Sequence, residues 1–139
     1  MAKETSSRPT ADRRWRVLIV DDEPLVLNAT RRMLERDHEV VAVARAQDAL
    51  ELLWGAKPFD LVLSDVMMSE MTGIDLYQRV AQTVPSYLPR IAFFTGGFPA
   101  GPTGEFLKNV GNRCIAKPIS SDELCARVGE LLAQLQRNE

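Results

Sequence analysis

With 139 residues and a formal charge of -2, the chain has the size of one domain and lacks the basic excess that favours nucleic acid or anionic membranes. Hydrophobic residues make up 45% and charged residues 26%, which excludes a disordered protein and is typical of a globular one. No apolar run approaches the roughly 20 residues of a membrane span, and we expect a cytoplasmic protein. Cys114 and Cys125 lie in apolar segments without metal-binding spacing, and we interpret them as reduced core thiols.

Short apolar runs alternate along the chain with amphipathic segments. Residues 1–14 have no hydrophobic period, and we interpret them as a flexible tail or linker remnant. The runs predict strands at residues 15–22, 39–44, 59–65, 91–95 and 113–117. Segments with the 3.6-residue period of helices begin at Pro24, Ala46, Gly73, Glu105 and Ser120 or Ser121. This alternation predicts βαβ units and one parallel sheet that is covered by helices on both faces.

The first helix and the turn after it allow more detailed predictions. Leu25, Ala29 and Met33, with Val26 and Leu34 beside them, give this helix an apolar stripe, and Asp22 is the expected N-cap. The only histidine, His38, lies in a polar turn, and we expect it to be solvated.

Polar side chains stand at the ends of the predicted strands. Asp21 and Asp22 end the first strand, and Asp65 ends the third. Thr95 and Lys117 end the fourth and the fifth. The carboxyl ends of parallel strands meet at one edge of the sheet, where open α/β sheets bind ligands. Because three carboxylates brought together repel one another, and Mg²⁺ relieves that repulsion, the pattern predicts a phosphoryl-transfer site with Mg²⁺.

These motifs, in their order and spacing, resemble the receiver domain of two-component response regulators, the CheY-like fold. The resemblance covers about residues 15–137 and rests on Val20 to Pro24, Leu63 to Asp65 with Met68 and Gly73, Phe94 to Gly96, and Lys117 with Pro118. It implies a doubly wound α/β fold with one five-stranded parallel sheet in the flavodoxin-like order 2-1-3-4-5. Helices would cover both faces, and the fourth helix would be shortened.

The resemblance also implies a role for each residue of the site. Asp65 is the implied phosphoacceptor, and Thr95 and Lys117 are the implied phosphoryl-binding residues. The implied metal ligands are Asp21, Asp22, Asp65 and the backbone carbonyl of Met67. A cis bond before Pro118 and a glycine at Gly73 are the implied structural features.

The implied function is that of a phosphoacceptor in a two-component phosphorelay. A sensor histidine kinase or a histidine phosphotransfer domain would supply the phosphoryl group from a phosphohistidine. The chain would catalyse its own phosphotransfer and dephosphorylation, and would signal by a conformational change rather than turn over a substrate. We expect no direct DNA binding, no membrane association, and a monomer or weak dimer. Residues 95–104 are similar to those in receivers of hybrid histidine kinases.

Three departures from the family pattern lie close to the site. Ser69 stands where the family usually has proline, so we expect the loop after Asp65 to be less rigid than in other receivers. Cys114 stands where most receivers have the tyrosine or phenylalanine that follows the threonine on activation, and cysteine is too small for that role. The segment from Gly96 to Gly104 contains four glycines and two prolines, so we predict a helix only over Glu105–Val110. We therefore expect this segment, rather than an aromatic side chain, to report phosphorylation.

Two other classes of protein use a similar sheet. An aspartate-nucleophile phosphohydrolase typically has a second aspartate two residues after the nucleophile, and here that position is Met67, which cannot protonate a leaving group. A flavin-binding module would need a phosphate loop rich in Ser, Thr and Gly after the first strand, which the sequence lacks.

Overall fold

The computed structural model of the chain describes residues 14–97, 100–110, 113–117 and 119–137. The strands are β1 (Arg16–Val20), β2 (Glu39–Val43), β3 (Leu61–Asp65), β4 (Ile91–Thr95) and β5 (Cys114–Ala116). The helices are α1 (Pro24–Glu35), α2 (Ala46–Trp54), α3 (Gly73–Thr83), α4 (Pro102–Val110) and α5 (Ser121–Arg137). A 3₁₀ helix over Pro85–Arg90 precedes β4. The prediction of a tail over residues 1–14 falls almost wholly outside the described residues and stays a prediction.

The strands form one parallel sheet in the order β2-β1-β3-β4-β5, which confirms the predicted topology. Strand β3 lies at the centre, and every one of its residues is buried. The register aligns Val20 with Ser64, Asp65 with Phe94, and Thr95 with Ala116, so the carboxyl ends of four strands lie side by side. In the described part of the chain, no helix is long and apolar enough to cross a membrane.

Alternate residues of each strand pack into two separate cores, one on each face of the sheet. One core contains Leu18, Val62 and Phe93, and Cys114 packs against it. The other core contains Ile19, Leu63 and Phe94, and Cys125 packs against it. Both thiols are free, which agrees with the prediction of reduced core cysteines. Because the sheet lies between the two cores, the two cysteines belong to opposite faces.

Helix α1 buries only part of the stripe that the sequence predicts. Met33 packs against the core, but Ala29 is exposed and Leu25 is 83% exposed. Leu25 lies in the first turn of α1 and lines a surface groove with Phe94 and Lys117. The buried positions are Leu34 and Thr30, whose hydroxyl donates a hydrogen bond to a carbonyl one turn earlier at 2.9 Å.

The predicted N-cap of α1 is also wrong. The N-cap residue is Glu23, which makes no side-chain capping bond. The carboxylate of Asp22 is engaged elsewhere, since its Oδ2 accepts a hydrogen bond from the Ser69 backbone N–H at 2.8 Å.

His38 is buried rather than solvated, which corrects the prediction made from its polar neighbours. Its Nδ1 accepts a hydrogen bond from the backbone N–H of Trp15 at 3.4 Å, and its carbonyl accepts one from Arg14 at 2.7 Å. Burial lowers the pKa of His38, although the charge of Asp37 opposes that shift. The turn before β2 is therefore held against the start of β1.

Helix α4 is longer than the predicted Glu105–Val110, because it begins at Pro102 and spans nine residues. Proline is tolerated in the first turn of a helix, where its missing N–H would have no partner inside the helix. Gly104 is buried in α4, so the helix continues through a residue that the sequence analysis assigned to the loop. Helix α4 nevertheless stays shorter than α1, α3 and α5.

Candidate functional site

Three acidic side chains meet at the carboxyl edge of the sheet. Asp21 and Asp22 follow β1, Asp65 ends β3, and one carboxylate oxygen from each lies within 4.8 Å of the others. Asp21 is 2% and Asp65 is 8% exposed, whereas Asp22 is half-buried. The structure therefore brings together the three acids that the sequence places at strand ends.

The side chain of Lys117 enters this cluster from the end of β5. Its Nζ lies 3.0 Å from Asp65 Oδ1 and 3.4 Å from Asp21 Oδ2. The other oxygen of Asp21 accepts a hydrogen bond from the Glu23 backbone N–H at 2.9 Å. The backbone N–H of Lys117 donates to the Thr95 carbonyl at 2.7 Å, which ties the residue to the end of β4. One ammonium thus neutralises part of the charge of two buried carboxylates.

The electrostatics of the cluster follow from burial and from this pairing. Burial raises the pKa of Asp65, and the hydrogen bond and charge of Lys117 offset only part of that rise. Burial alone would lower the pKa of Lys117, but the hydrogen bond to Asp65 and the charges of Asp65 and Asp21 outweigh it, so the pKa of Lys117 is raised. Lys117 therefore stays charged at neutral pH.

The donor set of the cluster fits a hard divalent cation. Mg²⁺ prefers carboxylate and carbonyl oxygens and keeps several waters, and three carboxylates converge here. Met67 lies in the loop directly after β3, and its side chain is 64% exposed. Its predicted contribution, a backbone carbonyl, does not depend on that side chain.

Thr95 ends β4 at the predicted place, but its hydroxyl is engaged away from the acids. The hydroxyl donates to the Gly97 carbonyl at 2.6 Å and accepts from the Gly97 N–H at 3.2 Å. Thr95 is buried, whereas Gly96 and Gly97 are exposed. A role for Thr95 at Asp65 therefore requires its hydroxyl to leave Gly97.

The loop between β3 and α3 is held at both of its ends. A Cβ atom at Gly73 would lie 2.5 Å from the backbone oxygen of Asp65, so a larger residue does not fit there. The Gly73 N–H donates to the Val66 carbonyl at 2.9 Å. The Thr72 hydroxyl accepts from the Asp75 N–H, and the Asp75 carboxylate accepts from the Thr72 N–H, which forms a capping box at the start of α3.

Sequence reasoning missed the contact of Ser69 with Asp22. The sequence predicted only that Ser69, in place of proline, makes the loop less rigid, whereas the Ser69 N–H ties the loop to Asp22. The available signal was that serine, unlike proline, has a backbone N–H that can donate a hydrogen bond.

The comparison with protein families decides between the classes considered above. The response regulator receiver domain model matches residues 17–129. The chain belongs to this family. The alternatives of a phosphohydrolase and a flavin-binding module are therefore not favoured.

Two relatives show the settings in which such a receiver domain occurs. The response regulator Rre1 of Synechocystis sp. is 33% identical over 125 residues, which cover 86% of this chain and 52% of that protein. The sensor protein TorS of Escherichia coli is 34% identical over 131 residues, which cover 88% of this chain and 13% of that protein. The chain thus spans about half of the first relative and a small part of the second.

Solved structures support the same fold. A CheY-like response regulator receiver domain protein from Methanospirillum hungatei has a TM-score of 0.74 and 26% sequence identity, over 91% of this chain and 100% of that chain.

Three aromatic side chains pack together on one face of the sheet. Phe106 of α4 contacts Tyr77 and Phe93, with ring centroids 5.0 Å and 5.5 Å apart. Cys114 pairs with Phe93 in the sheet and packs against the same core. Burial raises the pKa of Cys114, so its thiol stays neutral.

Pro118, the predicted cis residue, lies outside the described residues.

Proposed function

We propose that the receiver domain accepts a phosphoryl group on Asp65 from a phosphohistidine of a sensor histidine kinase or histidine phosphotransfer domain, with Mg²⁺ as cofactor. The observation that carries this proposal is the contact of the Lys117 ammonium with both Asp65 and Asp21, inside a cluster of three carboxylates. A nucleophile needs an oxygen that is held in place beside compensating positive charge, and this arrangement supports that requirement for Asp65. We place this reaction in the cytoplasm.

In the proposed transfer, a carboxylate oxygen of Asp65 forms a bond to phosphorus while the bond between phosphorus and the histidine nitrogen breaks. The electron pair of the broken bond stays on the imidazole. Asp21, Asp22 and the Met67 carbonyl would hold Mg²⁺, which when bound neutralises charge on the phosphoryl oxygens. Lys117 then shifts its contact from the carboxylate to a phosphoryl oxygen.

Thr95 connects this chemistry to the proposed signal. Its hydroxyl donates to Gly97 at 2.6 Å, and it would have to give up that bond in order to donate to a phosphoryl oxygen. The segment after β4 would then lose the hydrogen bonds that join Gly97 to the Thr95 side chain. Cys114 has no ring that could follow Thr95, so we propose that this segment and α4 report phosphorylation. Hydrolysis of the aspartyl phosphate, also by the domain's own site, would restore the tie.

The proposed partner docks against the exposed start of α1. An apolar groove of about 330 Å³ lies between α1 and β5, and Leu25 and Met33 line it on one side and Ile119 on the other. Lys117 also lines the groove, so a helix seated in it would hold its phosphohistidine close to Asp65. Leu25→Asp should then block transfer from a phosphohistidine protein that labels the wild type, while labelling by a small phosphodonor continues. Trp54→Gln, on the exposed end of α2, serves as the control.

Mass spectrometry after incubation with acetyl phosphate and Mg²⁺ tests the proposed phosphoacceptor. The wild type should gain one phosphoryl group with Mg²⁺ and none when EDTA is added before the phosphodonor, and Asp65→Asn should gain none in either case. Asp48→Asn, which changes an exposed acid on α2, should be labelled like the wild type. Persistent labelling of Asp65→Asn, or labelling that is indifferent to Mg²⁺, would contradict the proposal. Turnover of phosphate esters would instead support the phosphohydrolase.

A further inference from the structure

One hydrogen bond joins two loops of the site that lie 47 residues apart along the chain. The Ser69 backbone N–H donates to Asp22 Oδ2 at 2.8 Å, a short distance for an N–H donor. Lys117 contacts Asp21 and Asp65, whereas the described partner of Asp22 is this N–H. The acid that Lys117 does not hold is therefore held by the backbone of the β3–α3 loop.

The position of this N–H is fixed by the packing of the loop. Val66 and Met68 are buried in the core, while the intervening Met67 and the following Ser69 are exposed. The hydrogen bond from the Gly73 N–H to the Val66 carbonyl closes the loop behind them. Since Met68 is anchored in the core, the N–H of the next residue cannot move far.

We infer that the backbone N–H of Ser69 positions Asp22 for the divalent cation. It engages one carboxylate oxygen and leaves the other for the metal. Groups that hydrogen-bond to a metal-binding carboxylate typically contribute 10- to 100-fold to metal affinity, because the ligand is already in place when the ion arrives. The inference rests on the proposed function in one respect only, that the cluster binds a cation.

The group that acts here is the backbone and not the serine hydroxyl. The Ser69 side chain is exposed, and among the described residues its bond to Asp22 is made by the N–H. Any residue except proline supplies that N–H. Ser69→Ala therefore keeps the positioning group and Ser69→Pro removes it, which makes them a matched pair.

Isothermal titration of each variant with Mg²⁺ tests the inference. Ser69→Pro should bind Mg²⁺ about tenfold more weakly than the wild type, and Ser69→Ala should bind it as the wild type does. Equal affinity of Ser69→Pro and Ser69→Ala would overturn the inference, and so would an equal loss in both. If the wild type itself does not bind Mg²⁺, the proposed function fails instead.

A second measurement needs neither the metal nor the proline variant. Amide exchange at Ser69 should be slow in the metal-free wild type and in Asp22→Asn, whose side-chain oxygen still accepts the bond. In Asp22→Ala the same amide should exchange at least about tenfold faster, because its acceptor is gone. Unchanged protection of Ser69 in Asp22→Ala overturns the inference, even if Ser69→Pro fails to fold.

Discussion

The two loops that flank the site differ in how firmly they are attached to the rest of the domain. The β3–α3 loop is closed by the Gly73 N–H, anchored by the buried Met68 and tied to Asp22 through Ser69. The segment after β4 is exposed at Gly96 and Gly97, and its described tie to the strand is the Thr95 hydroxyl. In the proposed function, the first loop holds the ligands of the cation in place, and the second moves when Thr95 changes its partner.

The glycines of the two loops differ in how much space surrounds them. A Cβ at Gly73 would lie 2.5 Å from the Asp65 backbone oxygen and 3.1 Å from the Val66 Cα. At Gly96 and Gly97, a Cβ would meet nothing within 4 Å. The glycine of the first loop thus permits close packing of two backbone segments, whereas those of the second face open space.

The largest expected effect is that of Gly73→Ala. The added methyl group must displace the backbone at Asp65, and overpacking of this kind costs about 1–3 kcal/mol of the free energy of unfolding. Gly96→Ala should instead stabilise the domain by about 0.4–1 kcal/mol, because a methyl group fits there and restricts the unfolded chain. Urea unfolding followed by circular dichroism measures both. Similar costs at the two positions would remove the distinction between the loops.

Thr95→Val should have a smaller effect that is confined to the second loop. Valine keeps the shape of threonine but cannot bond to Gly97, so we expect a loss of about 1 kcal/mol in the free energy of unfolding. The Gly97 amide, which donates to the hydroxyl at 3.2 Å, should exchange faster. Thr95→Ser keeps the hydroxyl and should protect Gly97 as the wild type does. If Thr95→Ser and Thr95→Val change the exchange rate of the Gly97 amide equally, the Thr95 hydroxyl does not hold this segment to the strand.

The sequence predicted the scaffold and the charges of the site more completely than its hydrogen bonds. Apolar runs predicted which segments are strands, and the family resemblance implied the order of those strands in the sheet. The strand ends placed Asp65 and Lys117 at the same edge of that sheet. The burial of His38 depends on Trp15, 23 residues away, and no local pattern contains that contact. The exposure of Leu25 depends on where the first turn of α1 lies relative to the sheet, which the helical period alone does not specify. The bond between Ser69 and Asp22 likewise requires two distant loops to be placed first.

The smallest expected effect is that of His38 on the pH dependence of stability. His38 lies at the edge of the sheet opposite the site, so this effect serves as a reference for the site. Burial lowers the pKa of His38, and its Nδ1 accepts a bond from Trp15 that protonation would remove. The folded state thus binds fewer protons than the unfolded state between the lowered pKa and about 6.5, so stability should fall as the pH is lowered through that window. Urea unfolding between pH 7.5 and 5.5 measures this loss, and His38→Gln should reduce it. An unchanged pH dependence in His38→Gln would assign the loss to other groups.

Amide exchange with and without beryllofluoride, a phosphoryl mimic at Asp65, tests the distinction between the two loops most directly. In the presence of Mg²⁺, the mimic should alter exchange most between Gly96 and Val110, while the core of the β3–α3 loop around Met68 changes little. Cys114→Ala should leave this response largely intact, because no ring at that position transmits it. A response in distant helices with an unaltered β4–α4 segment, or one that Cys114→Ala abolishes, would contradict this mechanism.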